Sequence, residues 1–267
     1  SLWDAHGQGA VMQTNHPDRD WTGDDGVPND HASTQGVDLI EVWNVAQDIE
    51  AQLTYAESRW NRGWETGITA SSDNHFRELW PIGFGPGTVK THVFAATRGE
   101  AGILAGLRAG HTVLGDGGPL APMLTLEADA QGDGVFEALP GDAVAVPPGG
   151  GLALRLRVRR GFGHRLRLYT APGRRVGAVA EFIAGRADQT FNTVITRPDR
   201  TGPFWVYAEL TTLAGVRKGL TSPLFMRTGA PIRPRGERAV PESLTIEDAA
   251  ALALGERGRF TGFPDVA

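Results

Sequence analysis

The chain has 267 residues, is 40% hydrophobic and 21% charged, and carries a net charge of −5. That balance reads as a globular rather than a disordered chain, and its acidic charge makes the arginines of 155–167 a solvated strand face rather than a nucleic-acid patch. With no cysteine, disulfides and thiolate ligands are excluded, so any metal must be held by His, Asp or Glu.

In chain order, "GAVMQTNHP" (9–17) reads as a buried strand ending at Pro17, and "VDLIEVWN" (37–44) as a second strand. "AQDIEAQLTYAESRWNRG" (46–63) places Ile49, Leu53, Ala56 and Trp60 three and four residues apart, which predicts an amphipathic helix stopped by Gly63. "GITASSDNH" (67–75) and "THVFAAT" (91–97) read as strands, and "GEAGILAGLRAG" (99–110) as a helix with Gly110 just past its end. Strands alternating with helices predict a parallel sheet with crossovers over residues 1–118.

After Pro119 short β-like runs follow one another with Gly/Pro turns between them. This predicts an antiparallel β-sandwich over 119–229. "LALRLRV" alternates strictly, so Leu152, Leu154, Leu156 and Val158 face the core and Arg155 and Arg157 face out. Residues 230–267 read as a linker with a short helix over 244–258. The fold class expected is therefore α/β plus all-β. No run of apolar residues reaches membrane-spanning length, and the chain is expected to be soluble, cytoplasmic or periplasmic, with no membrane or nucleic-acid partner.

Charge and histidine are uneven. Residues 1–120 carry 16 acidic and 7 basic side chains, whereas 121–267 carry 15 and 19. Six of the seven histidines also lie in the first 120 residues. Acid and imidazole in one half suit a divalent cation. Three predicted strand ends supply such residues: Asn15-His16-Pro17, Glu41 with Asn44, and Asp73-Asn74-His75. Pro17 biases His16 to an extended conformation at a strand end. Alternation puts Glu41 and Trp43 on one face of their strand and Val42 and Asn44 on the other. In an extended chain Asp73 and His75 point the same way, toward one metal. Singly, each is more often a turn or a capped loop; together they mark a metal or substrate site, since function collects at the C-terminal ends of parallel strands. His6, His92 and His111 show no partner pattern and read as structural. His31, in an acidic loop, is a candidate substrate contact only.

"QTNHP", "VDLIEVWN", "ITASSDNH" and "GLRAGHTVLGDGGP" occur in the order seen in the PHP (polymerase and histidinol phosphatase) superfamily, and residues 8–229 resemble its branch similar to carbaryl hydrolase and a microcin-processing protein. The resemblance implies a partial PHP-type (β/α) barrel followed by the sandwich. It implies a hydrolase using Zn, Mn or Fe to activate water against a phosphoester, carbamate or amide of a small-molecule substrate. His16, Asp73 and His75 would be metal ligands, with Asp73 also orienting the hydroxide. Glu41, Asn44, Asn15 and Asn74 would line the substrate pocket. The family's opening H-x-H strand and bridging Glu are not in this sequence, which implies the C-terminal portion of a longer enzyme, weak or inactive by itself. Its open barrel edge would be covered by a second copy of the chain or by rearrangement. Two other readings stand beside it. One is a non-catalytic binding or scaffold module with a degenerate metal site. The other is a carbohydrate-binding sandwich using Trp205 and Tyr207, although the alternation of "FWVYAEL" favours packing for those rings.

Overall fold

The structure is a computed structural model that describes residues 2–17, 36–45, 48–75, 77–78, 85–118, 120–199 and 202–229. His31 and the expected helix over 244–258 lie outside the described residues.

A short helix α1 (Leu2–Gly7) leads into three parallel strands, β1 (Gln13–Thr14), β2 (Leu39–Asn44) and β3 (Gly67–Ser71), ordered β1-β2-β3. Helix α2 (Ile49–Trp60) is the crossover between β2 and β3. Asp48 starts it by accepting from the Glu50 backbone N–H at 2.9 Å, and Gly63 (φ 84°) ends it by donating to the Trp60 carbonyl at 2.9 Å.

The remaining strands are β4 (Val89–Val93), β5 (Thr112–Asp116), β6 (Met123–Asp129), β7 (Ala143–Ala145), β8 (Gly151–Arg159), β9 (His164–Thr170), β10 (Ala180–Ile183), β11 (Gln189–Thr196), β12 (Phe204–Thr212), β13 (Arg217–Thr221) and β14 (Leu224–Arg227). Helix α3 (Glu100–Arg108) joins β4 to β5. Two sheets form: an eight-stranded one with the path β10-β9-β12-β13-β5-β4, extended by β14 and β7, and a three-stranded one ordered β11-β8-β6. Leu124, Leu126, Leu154 and Leu156 from the smaller sheet are fully buried, as are Leu166, Leu168, Val206 and Leu210 from the larger. Arg155 and Arg157 face out and pair with Glu127 across the β6–β8 ladder at 2.6 and 3.4 Å.

This architecture corrects the expectation of a partial (β/α) barrel followed by a separate sandwich. β4 overlaps the strand expected over 91–97, but it pairs antiparallel with β5, and β5 pairs antiparallel with β13. One sheet therefore takes strands from both sides of the expected domain boundary. The molecule is mostly β, with three α-helices among the described residues, and parallel pairing there is confined to β1-β2-β3 and to β7 with β14. The physical reason is that an α-helical connection leaves both parallel and antiparallel neighbours open, and here α3 returns the chain beside β4 in the opposite direction.

The parallel sheet meets the sandwich through hydroxyl groups. Along the outer edge of β3, the Ser222 hydroxyl accepts from Ile68 N–H (2.9 Å) and the Thr112 hydroxyl donates to Ile68 C=O (2.6 Å). The Thr91 hydroxyl accepts from Ala70 N–H (2.8 Å) and donates to Ala70 C=O (2.9 Å). These side chains satisfy an edge that would otherwise be a pairing template. The approach is close enough to need glycine: a Cβ on Gly67 would lie 2.5 Å from Gly110 Cα, and one on Gly141 2.2 Å from the Ala109 carbonyl oxygen.

One hydrophobic core runs through both parts. Each face of β12 is buried. Val206, Ala208 and Leu210 serve the sandwich core, while Trp205 and Tyr207 meet α2, where Trp60 packs 5.2 and 5.7 Å from their ring centroids. Both rings are fully buried, so neither offers a face to a sugar. A polar network lies beside them: Tyr207 donates to Glu57 (2.9 Å) and Tyr169 to Glu209 (3.1 Å). Burial, with the Glu209 charge added, pushes the Tyr169 phenol up to about 12, and burial beside Glu57 drives Tyr207 well above its ordinary value. Unfolded tyrosine ionises near 10.0, so the stability held in this raised value is full below that pH and is lost as pH rises through about 12. Ultraviolet absorbance titration should show an alkaline step that coincides with loss of stability and is diminished in Tyr169→Phe. Ionisation complete near the ordinary tyrosine pH, with stability unchanged, would contradict the buried assignment.

Candidate cation site

Three segments converge at the C-terminal end of the parallel sheet, and a local departure from regular strand geometry shapes each one. β1 is only two residues long, and His16 follows it with φ 49°. The extended conformation expected before Pro17 is therefore corrected: His16 is left-handed, which turns its ring toward β2. In β2 the pairing register slips between Glu41 and Trp43. This bulge brings Glu41 and Asn44 together, although strict alternation puts them on opposite faces; Asn44 Nδ2 donates to Glu41 Oε1 at 3.4 Å. β3 stops at Ser71, and Asp73 has φ 44°. Asp73 and His75 thus meet through a turn, with His75 Nε2 2.8 Å from Asp73 Oδ1. Two non-glycine residues in left-handed geometry at one site is a local cost of a kind that gathers at functional positions.

The side chains form a linked chain. Buried Glu41 accepts from the Ser71 hydroxyl and from His16 N–H at 3.3 Å, and its Oε2 lies 2.9 Å from His16 Nδ1. His16 Nε2 then faces Asp73 Oδ2 at 3.7 Å. His75 is 70% exposed, against 22% for Asp73. Burial pushes the Asp73 carboxyl up, but hydrogen bonds from Asn44 and His75 and the charge of His16 outweigh it and hold it below its ordinary 3.8. The carboxylate therefore stays ionised through neutral and mildly acidic pH, which suits a cation ligand and makes it a poor proton acceptor.

His16, Glu41, Asn44, Asp73 and His75 are brought together as the sequence suggests. Asn15 is exposed and accepts from Gln13 at 2.5 Å; Asn74 is half-buried between Asp73 and His75. His6 and His111 lie elsewhere, each beside a carboxylate: Asp38 at 2.8 Å and Asp142 at 2.9 Å. A second acidic group, Asp129, Asp133 and Glu137, was not evident from sequence; its oxygens lie within 4.8 Å of one another. The Asp129 carboxylate already accepts from the backbone N–H groups of Gly132 (2.6 Å), Asp133 (3.1 Å) and Gly134 (2.8 Å), so it braces its own loop.

No family model matches the sequence, and no curated protein matches it. Among solved structures it is similar to the sporulation control protein Spo0M of Bacillus subtilis (14% identity, 41% of this chain and 50% of that one, TM-score 0.27). It is also similar to a CARDB domain from Pyrococcus furiosus solved with di-metal ions (14%, 41% and 97%, 0.25). A third is a DUF3823 family protein of Bacteroides ovatus (11%, 44% and 75%, 0.23). The chain spans half the length of Spo0M, and overlaps this slight carry nothing about activity.

The resemblance to PHP hydrolases is corrected. The ordered motifs are present, but the mostly β architecture, with β4, β5 and β13 paired antiparallel, is not that superfamily's barrel. The phosphoesterase and TIM-like barrel expectations fall with it. No helix among the described residues is long and apolar enough to cross a membrane.

Proposed function

We propose that this chain is a binding module organised around one divalent cation, with His16 Nε2, Asp73 and His75 as its donors. The observation that carries this reading is the 3.7 Å gap between His16 Nε2 and Asp73 Oδ2. It is longer than an ordinary hydrogen bond. Two donors about 2.1 Å from a tetrahedral zinc stand roughly 3.4 Å apart, so an ion fits between them with little movement. Glu41 supports the same reading. Held on Nδ1 by a buried carboxylate, His16 has its ring fixed and its Nε2 directed outward, the usual support for a metal-bound imidazole. Exposed His75 closes over the ion by a side-chain rotation. Three protein donors leave one position for water or for a carboxylate of the module's partner.

Calorimetric titration of Zn²⁺ into the metal-free chain is expected to give one site. Asp73→Asn and His16→Ala should abolish it, and Glu41→Gln should weaken it by about 10- to 100-fold. Affinity unchanged in Asp73→Asn would sink the assignment. Turnover of nitrophenyl phosphate esters by the zinc-loaded chain would overturn the non-catalytic part of the reading.

A further inference from the structure

A second site lies at the opposite end of β3. Residues Gly63 and Glu65, just before that strand, line a cleft of about 600 Å³ whose other walls include Arg197, Gly202 and Pro203, which lie between β11 and β12, and residues of β14. Pro203, Phe204 and Phe225 give it an apolar side, and Arg197 and Arg227 a cationic one. The volume is in the range of small-molecule sites.

Arg197 is the residue that needs an explanation. It is only 3% exposed, and its guanidinium donates to two backbone carbonyls, Val146 (2.9 Å) and Gly202 (3.1 Å). No carboxylate pairs with it among the described residues, and its buried Nε has no acceptor. A buried guanidinium without a counter-charge is costly. Arg227 pairs with Glu65, yet its buried Nη1 also has no acceptor. Of the charged groups lining the cleft, two are cations and one is an anion. Val146 ties the two arginines to one place: its carbonyl accepts from Arg197, and its N–H donates to the Arg227 carbonyl at 2.7 Å. The Arg197 guanidinium and the Arg227 backbone are therefore held at one place.

We infer that this cleft binds a small carboxylate with an aromatic or similarly flat apolar body. The carboxylate lies against the cationic wall of Arg197 and Arg227 and supplies the counter-charge that Arg197 lacks. The apolar body lies against Pro203, Phe204 and Phe225. The site is independent of the cation site and stands whether or not that one binds metal.

The test is titration of benzoate, with benzamide as its neutral isostere, followed by calorimetry and by tryptophan fluorescence, since Trp60 also lines the cleft. Benzoate should bind saturably, and benzamide about tenfold more weakly or worse, because a hydrogen bond to a charged group is the difference. Arg197→Gln should remove benzoate binding. Because Arg197 also pins its loop, Arg227→Gln and the benzamide comparison on the unaltered chain provide tests that do not depend on that variant folding. Arg227→Gln should weaken benzoate and leave benzamide unchanged. No saturable benzoate binding at millimolar concentration, or equal affinity for the two probes, would overturn the inference.

Discussion

Replacing Glu57 with alanine is expected to cost the fold about 3–5 kcal/mol, the usual result of stripping one partner from a buried charge pair. Glu57 is 5% exposed and joins α2 to the sandwich. Its carboxylate accepts from Tyr207 (2.9 Å), from Arg174 Nε (3.1 Å) and from the Arg174 backbone N–H (3.2 Å). The backbone packs tightly around it, since a Cβ on Gly173 would lie 2.4 Å from Glu57 Oε2. Alanine leaves a fully buried tyrosine hydroxyl and a largely buried guanidinium short of an acceptor. Glu57→Gln keeps the shape and one acceptor, so it should cost less, about 1–3 kcal/mol. Glu50 is the contrast: it also bonds Arg174, and Arg217 at 2.6 Å, but its side chain is 63% exposed. Glu50→Ala should therefore change stability by no more than about 1 kcal/mol. Denaturant midpoints for the three variants check the order. Glu57→Ala and Glu50→Ala costing the same would show that burial does not set the strength of this network.

The network also shows where sequence reading stops. α2 was legible because its apolar positions recur at helical spacing, and β8 because alternation is strict where one face is buried. Nothing local announces that Glu57 will meet Arg174, 117 positions away. The same holds for the sheet. β4 and β5 are five-residue strands on either side of a helix, and so short a strand pairs equally well in either direction until its neighbours are known. The PHP-like motif order then supplied a barrel that the pairing contradicts. At the cation site the residue types were readable and the geometry was not. His16 and Asp73 were expected to be extended, and both are left-handed; Glu41 and Asn44 were expected to face apart, and a bulge brings them together. Local irregularity of this kind is set by the packing around a site and leaves little trace in residue periodicity. Arg197 is legible in the sequence pattern itself. It follows Ile195 at the inward register of β11, where an apolar residue belongs, and both are buried.

The largest apolar effect is expected at Trp60, where alanine should cost about 3–5 kcal/mol. Its ring is fully buried and lies against Trp205 and Tyr207, edge-on to the first at 67°. Its indole N–H donates to the Thr66 carbonyl at 3.1 Å, closing the turn between α2 and β3. The substitution therefore empties a volume shared by the helix and the central strand of the larger sheet, and it frees the loop that sets β3 in place. Because the cavity belongs to both parts, the consequence reaches beyond the helix. Unfolding followed by far-ultraviolet circular dichroism and by fluorescence should give one coincident transition in the unaltered chain, and Trp60→Ala should move it as a whole. A chain built as two independent units split near residue 118 would instead unfold in two steps, and the substitution would move mainly the first. Trp60→Phe separates the two contributions: it keeps most of the ring contact and loses the N–H donor, so its cost should fall near 1–3 kcal/mol. A biphasic transition in which the sandwich signal ignores Trp60 would mean that the shared core does not couple the two parts.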